Sequence, residues 1–227
     1  GSCCCAGQPP AAQEARLLVS LARLNGPCRR DQGYLCLRES TQEILECAQG
    51  LPDFLRAYFH RKSADWPGNK PAPVASASAA DLATMPEYYV MAMDKTMPQT
   101  VAQAMPTAEQ VSACAWLPDK DLAVYALSFA ATGFQGGLQW YRAFGSAASQ
   151  AELLLFAGLT ISVPACFIAG ASDWGIYQSP GAFEAMQSLA CSDLRSCNLI
   201  PDAGHWVQQE QPEVVVDKLL AFLAGMR

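Results

Sequence analysis

Asp173 and His205 are the two residues of this 227-residue chain whose types and placement point most directly to chemistry. Asp173 closely follows the continuous apolar run VPACFIAG, residues 163–170, and His205 lies 32 residues further on, in a loop after a second short run ending at Ile200. An apolar run of strand length bounded by turn residues reads as a parallel strand covered on both faces. Acid and histidine then meet at the carboxyl edge of one sheet, where open α/β folds place their sites. There the carboxylate fixes the imidazole tautomer and stabilises its charged form, while the other ring nitrogen takes a proton. Such a relay serves a nucleophile from an earlier strand, and no residue of this chain is identified as that nucleophile. Three other readings compete: Asp173 caps a turn, His205 is a satisfied loop histidine, or Asp173 itself is the nucleophile. The short distance from Asp173 to His205 argues against the last.

The elements that would position this pair form one α/β unit. Ser179-Pro180 is expected to start a helix with Phe183, Met186 and Ala190 at helical spacing, followed by a strand at 197–200. Pro212 opens a last helix with Val215, Leu219, Phe222 and Leu223 expected inward and Gly225 at its end. Two parallel strands need neighbours and covering helices, so part of the sheet is expected to be missing.

Upstream, residues 29–147 read as mostly helical. Leu51, Phe54, Leu55, Tyr58 and Phe59 form the stripe of a helix with one buried face, and His60, Arg61 and Lys62 fall off that stripe, on a polar side. Residues 68–80 are a Pro/Ala/Ser-rich linker, and an apolar run over 80–97, containing Tyr88 and Tyr89, is expected to resume helix. Pro106-Thr107 and Pro118-Asp119 suit helix starts, with Leu122, Tyr125 and Phe129 on the buried side of a helix ending at Gly133. Residues 1–28 differ in composition and offer only one helical stretch of about three turns, QEARLLVSLARL. The chain begins Gly-Ser rather than Met, as expected of an added leader or of a natural chain that has been cut.

Composition narrows the classes of function. Hydrophobic residues make up 51% of the chain and charged residues 16%, with a net charge of −6, enough for one good core and without a basic face for nucleic acid or an anionic membrane. No apolar run approaches the ~20 residues of a membrane span, and no signal peptide opens the chain. The ten cysteines lack metal-ligand spacing, and only two histidines are available. No metal, no disulfide framework and a cytoplasmic setting are the expectations, with a small apolar ligand.

At this point GASDWGIYQSPG followed by DAGHWVQQEQPE closely resembles the C-terminal third of the epoxide hydrolases of the α/β-hydrolase fold. TGFQGGLQWYR at 132–142, LRAYFHRKSADWPGN and MPEYYVMAMDKTMPQTVAQAMP resemble the helical cap of the same enzymes. The resemblance covers about residues 29–227. It implies a partial α/β-hydrolase fold: an irregular or diverged segment over 1–28, a helical cap over 29–147, and over 148–227 the last two parallel strands and helices of the core. It implies Asp173 as relay acid, His205 as general base, and Tyr141 as one of two tyrosines that hydrogen-bond the epoxide oxygen. Tyr34 is the only phenol near the expected place of the second. Trp140, Trp174 and Tyr177 are further substrate-contacting candidates, each with core packing as the competing reading. No cofactor is implied, and the substrate is a small, largely apolar epoxide.

In that family an aspartate on a G-x-D-x-G elbow forms an ester that histidine-activated water hydrolyses. Neither that elbow nor the H-G-x-P oxyanion loop occurs in this chain, so it is expected to be inactive alone and to self-associate through an exposed sheet edge. A dehalogenase of the same fold and a non-catalytic truncated paralogue are the alternatives.

Overall fold

The computed structural model describes residues 30–31, 41–92, 94–144 and 146–226. A helical part comes first: β1 (Arg30–Asp31), α1 (Thr41–Leu45), α2 (Leu51–Lys62), α3 (Ala79–Leu82), β2 (Val90–Met91), α4 (Met97–Ala102), α5 (Ala108–Ala113), α6 (Asp119–Thr132), α7 (Gln135–Phe144) and α8 (Ala147–Leu153). An α/β unit follows: β3 (Ala165–Gly170), α9 (Ala182–Ala185), β4 (Leu194–Ile200), α10 (Val207–Glu210) and α11 (Pro212–Ala224). Strands β3 and β4 pair in parallel, with Phe167 beside Cys197 and Gly170 beside Ile200. The short β1 and β2 pair antiparallel. The stretch QEARLLVSLARL lies outside the described residues.

Helix boundaries follow local chemistry. Thr96 and Thr107 each close a capping box, with Gln99 and Gln110 reaching back to the N-cap backbone. Pro118 precedes α6, and Gly133 ends it at φ 65°, a left-handed conformation that glycine adopts without a Cβ clash. Leu122 and Ala126 are its buried residues, with Tyr125 and Phe129 packed against the core.

The core lies in the helical part, around α2. Phe54, Leu55, Ala57 and Phe59 are buried together with Tyr88, Tyr89, Met97, Val101, Leu117 and Leu122. Trp174 joins that cluster from the α/β unit, and Trp206 packs against it, so the two parts share one apolar interior.

Four expectations are corrected. His60, Arg61 and Lys62 do not lie on a polar face: they are 8%, 6% and 3% exposed, because neighbouring segments wrap the end of α2 from every side. Arg61 donates to the Thr100 carbonyl, lies 3.6 Å from Glu87 and stacks over Trp66, while its buried Nε finds no hydrogen-bond partner among the described residues. The run over 80–97 is helical only at its start, since Pro86 stops the helix and Val90–Met91 turns extended to pair with β1. Gly181, not Ser179-Pro180, caps α9, with φ 75°, and the helix continues as a π turn over Met186–Ala190.

The fourth correction concerns cover over the sheet. Only Ala169 and Gly170 of β3 are buried, Val163 just before it is 65% exposed, and α11 buries none of its residues. Val215 and Phe222 are half-buried, while Leu219 and Leu223 face outward. Among the described residues the parallel sheet has two strands, too narrow to cover the apolar faces packed on it.

The two parts meet most closely at Gly204. A Cβ built there would lie 2.5 Å from the Lys62 carbonyl oxygen and 2.7 Å from the Ser63 carbonyl carbon, both rigid backbone atoms. Gly204→Ala therefore forces the loop away from α2, and thermal or denaturant unfolding is expected to show a loss of about 1–3 kcal/mol.

Candidate active site

Two loops carry the site, and backbone hydrogen bonds lock them together. Ala171 N–H donates to the Ile200 carbonyl at 2.8 Å and Ser172 N–H to that of Ala203 at 2.9 Å, joining the loop after β3 to the loop after β4. The approach requires glycine at 170, where a Cβ would fall 2.2 Å from the Gly204 carbonyl oxygen. Asp202, at φ 54°, makes the turn after β4, and aspartate is among the few residues that visit this region readily.

On this frame the Asp173 carboxylate meets the His205 ring. Nδ1 lies 3.2 Å from Oδ1 and 3.1 Å from Oδ2, so Nδ1–H donates to the carboxylate and Nε2 is left to take a proton. Oδ1 also accepts the Gly175 N–H at 2.7 Å, capping the short 3₁₀ turn Trp174–Ile176. Asp173 thus caps its turn and pairs with His205 at once. The side chains are 14% and 36% exposed, so the acid is withdrawn while the imidazole remains reachable.

Burial alone would push the Asp173 carboxyl up. The His205 hydrogen bond and charge, the Gly175 N–H and the field of Lys62 together hold it below the usual carboxylate range.

The histidine loop is seated on the C-terminal turn of α2. His205 N–H donates to the Lys62 carbonyl at 2.9 Å, and the Trp206 indole N–H donates to the Phe59 carbonyl at 2.9 Å. Glu210 closes the arrangement: Oε2 accepts the N–H groups of Ala64 and Gly204 at 2.8 and 3.0 Å, and Oε1 accepts that of Trp206 at 3.0 Å. Burial pushes the Glu210 carboxyl up, opposed by these three donors.

A cavity of about 420 Å³ opens beside this loop. Phe54, Tyr58, Phe59, Phe129, Phe134, Tyr141 and Trp206 line it, so its wall is largely aromatic. Tyr141 sits on α7 and Trp206 directly follows His205 in the chain; Asp173 and His205 themselves are not among the lining residues. Gln209 donates to the Tyr125 hydroxyl at 2.7 Å across part of the lining.

The remaining sequence candidates are placed differently. Trp140 is 69% exposed and does not line this cavity. Trp174 is buried in the core beneath Asp173. Tyr177 lines a separate hollow with Pro73, Val74 and Pro180 and meets the Phe183 ring edge-on. Tyr34 lies outside the described residues. The sequence reading missed Tyr58, Lys62 and Glu210. Tyr58 and Lys62, four apart on one helix, were the available signal for the first two; Glu210, five residues after His205, had none. Among the described residues no cluster of His, Cys, Asp or Glu could hold a metal ion, and no helix is long and apolar enough to cross a membrane.

No family profile matches the chain. Among curated proteins, it is 42% identical to epoxide hydrolase A of Mycobacterium tuberculosis over 113 residues, 49% of this chain and 33% of that protein. It is 35% identical to epoxide hydrolase 3 of Siraitia grosvenorii over 118 residues, 50% of this chain and 35% of that one. A solved structure of epoxide hydrolase A from Mycobacterium thermoresistibile is similar at 27% identity and a TM-score of 0.59, over 91% of this chain and 56% of that chain. The curated homologues and the structural neighbours alike are epoxide hydrolases of the α/β-hydrolase fold. An epoxide hydrolase from an endophytic Streptomyces shares the fold at a TM-score of 0.65 and 22% identity, over 97% of this chain and 57% of that one. The match spans about a third of the length of these curated relatives and just over half of the solved ones, and it falls on their C-terminal part.

The depressed Asp173 carboxyl makes a pH signature. A carboxylate whose folded value lies below its unfolded value of about 3.9 stabilises the fold above that pH, and the contribution is lost as pH falls through the folded value. Asp173→Asn is expected to lower stability at pH 7, with the gap to the parent chain narrowing below about pH 4. Denaturant melts from pH 2 to pH 7, about the range over which this carboxyl titrates, check this; a gap independent of pH would contradict the pairing.

Proposed function

We propose that this chain supplies the acid-base part of an epoxide-hydrolysing centre. The Asp173–His205 contact carries the reading: a withdrawn carboxylate holds the Nδ1 proton of a reachable imidazole beside an aromatic cavity. His205 removes a proton from water through Nε2, and Asp173 stabilises the imidazolium that results. The water attacks the carbonyl of an aspartyl ester and releases the diol. Tyr141 donates a hydrogen bond to the epoxide oxygen, where negative charge develops as the ring opens.

The helices of residues 29–147 act as a lid whose inner wall receives the substrate, and residues 148–227 are part of the catalytic core. The aromatic lining fits a lipophilic, aryl-bearing epoxide, held by ring contacts and oriented by few polar groups.

The carboxylate that opens the ring belongs to a G-x-D-x-G elbow, and the 227 residues hold neither this segment nor H-G-x-P. The chain by itself therefore turns over no epoxide. An assay of the purified chain with an aryl epoxide should show no diol above the uncatalysed rate. Hydrolysis that His205→Ala abolishes would contradict the missing-nucleophile part of the proposal. Binding is tested separately, by titrating the same epoxide against tryptophan fluorescence: Tyr141→Phe should weaken it about fivefold, the worth of one neutral hydrogen bond. Unchanged affinity would remove Tyr141 from the site.

A further inference from the structure

Three consecutive backbone N–H groups around the proposed base are all engaged. That of His205 donates to the Lys62 carbonyl at 2.9 Å, and those of its neighbours Gly204 and Trp206 donate to the two oxygens of one side chain, Glu210, at 3.0 Å each. Glu210 Oε2 also accepts the Ala64 N–H at 2.8 Å, just past the end of α2. Among the described residues no lysine, arginine or histidine lies within ion-pair distance of this half-buried carboxylate. A carboxylate withdrawn from water without a cation is an expensive arrangement, and three amide donors are what offsets it.

We propose that Glu210 is a positioning residue of the relay: by fixing the backbone on both sides of His205 to the end of α2, it holds the imidazole against Asp173. The inference rests on the reading of Asp173 and His205 as a relay. No hydrogen bond joins Glu210 to the imidazole itself, whose Nδ1 faces Asp173, so Glu210 acts through the loop.

The route from the carboxylate to the ring is short. Glu210 lies four residues after Trp206, in the single turn α10 that Trp206 precedes, and its own N–H returns to the Trp206 carbonyl at 2.9 Å. One residue thus holds Trp206 at both of its backbone groups, and the Phe59 carbonyl holds its indole. The indole meets the His205 ring edge-on, 4.9 Å between centroids at 78°, so a fixed tryptophan limits how far the imidazole can turn from Asp173. On the other side of His205, Gly204 packs directly on the backbone of Lys62 and Ser63, where no Cβ would fit.

The role requires a carboxylate of this length. Its two oxygens only accept, which matches three donors. In Glu210→Gln one oxygen position becomes an NH₂ group, which faces either the Trp206 N–H or those of Ala64 and Gly204 as donor against donor. Glu210→Asp shortens the side chain by one carbon–carbon bond, about 1.5 Å, and cannot span the same three amides.

The test compares the full 227-residue chain with Glu210→Gln near neutral pH, by proton NMR of the His205 Nδ1 proton and by residue-resolved amide exchange. Solvent exchange of the Nδ1 proton is expected to be at least about tenfold faster in the variant, as is that of the Ala64, Gly204 and Trp206 amides, since hydrogen bonds to a charged group hold this loop closed. The amides of Leu122 and Ala126, buried in α6, are expected to keep their parent rates. Unchanged Nδ1 exchange overturns the proposal, and so does a loss of protection that extends equally into α6, the mark of a residue that serves global stability alone. For a variant that does not fold, the parent chain decides: the amide protons of Ala64, Gly204 and Trp206 are expected to shift with pH through one shared midpoint, that of the carboxylate they all bind. Separate midpoints would overturn the proposal. Failure of the relay reading shows in the parent without touching Glu210, as an Nδ1 proton indifferent to Asp173→Asn.

Discussion

The structure depends on the seating of the His205 loop on the C-terminal turn of α2. A helix ends with carbonyls that have no partner within it, and buried carbonyls left so are destabilising. Here Phe59 and Lys62 receive their donors from Trp206 and His205, residues far away in sequence. Glu210 gathers backbone N–H groups from both sides of that contact. The helical part and the α/β unit are therefore joined by backbone as well as by an apolar interior, and the junction lies at the proposed catalytic base.

From that seating the rest of the site follows. The loop after β3 is tied to the loop after β4, which brings Asp173 to His205 and leaves Nε2 free of the carboxylate. Trp206, held by the Phe59 carbonyl, becomes a wall of the aromatic cavity and meets the Phe59 ring at a 45° tilt, 4.5 Å between centroids. The α2 residues beyond its apolar stripe are buried, because the end of the helix is wrapped and not solvated. Tyr58, on the apolar stripe, faces the cavity, and Lys62 is buried with its ammonium among the Tyr58, Tyr88 and Tyr89 rings.

Much of this was legible in the sequence wherever a single local rule governed. Asp173 and His205 could be placed because strand ends in a parallel pair share an edge, and α6 because Pro118 and Gly133 mark its limits. The fold class could be read from the switch between helical periodicity and one continuous apolar run. Local rules failed where distant segments decide. His60, Arg61 and Lys62 look like a polar face, and the approach of segments distant from α2, among them residues 87–100, 106–117 and the His205 loop, buries them. Tyr88-Tyr89 looks helical, yet it forms a hydrogen-bonded turn on the Pro86 carbonyl that leads into the Val90–Met91 strand paired with β1. Trp140 and Tyr141, adjacent in sequence, end in different surroundings because neighbouring residues on a helix point about 100° apart.

The most direct test of the central claim is low-field proton NMR of the chain near neutral pH. If the Asp173 carboxylate accepts the Nδ1 proton of His205, that proton is shielded from exchange and appears as a resonance far downfield of the amides, and it disappears in Asp173→Asn. A parent chain with folded dispersion and no such resonance, or one whose resonance survives Asp173→Asn, would contradict the pairing on which the functional reading rests.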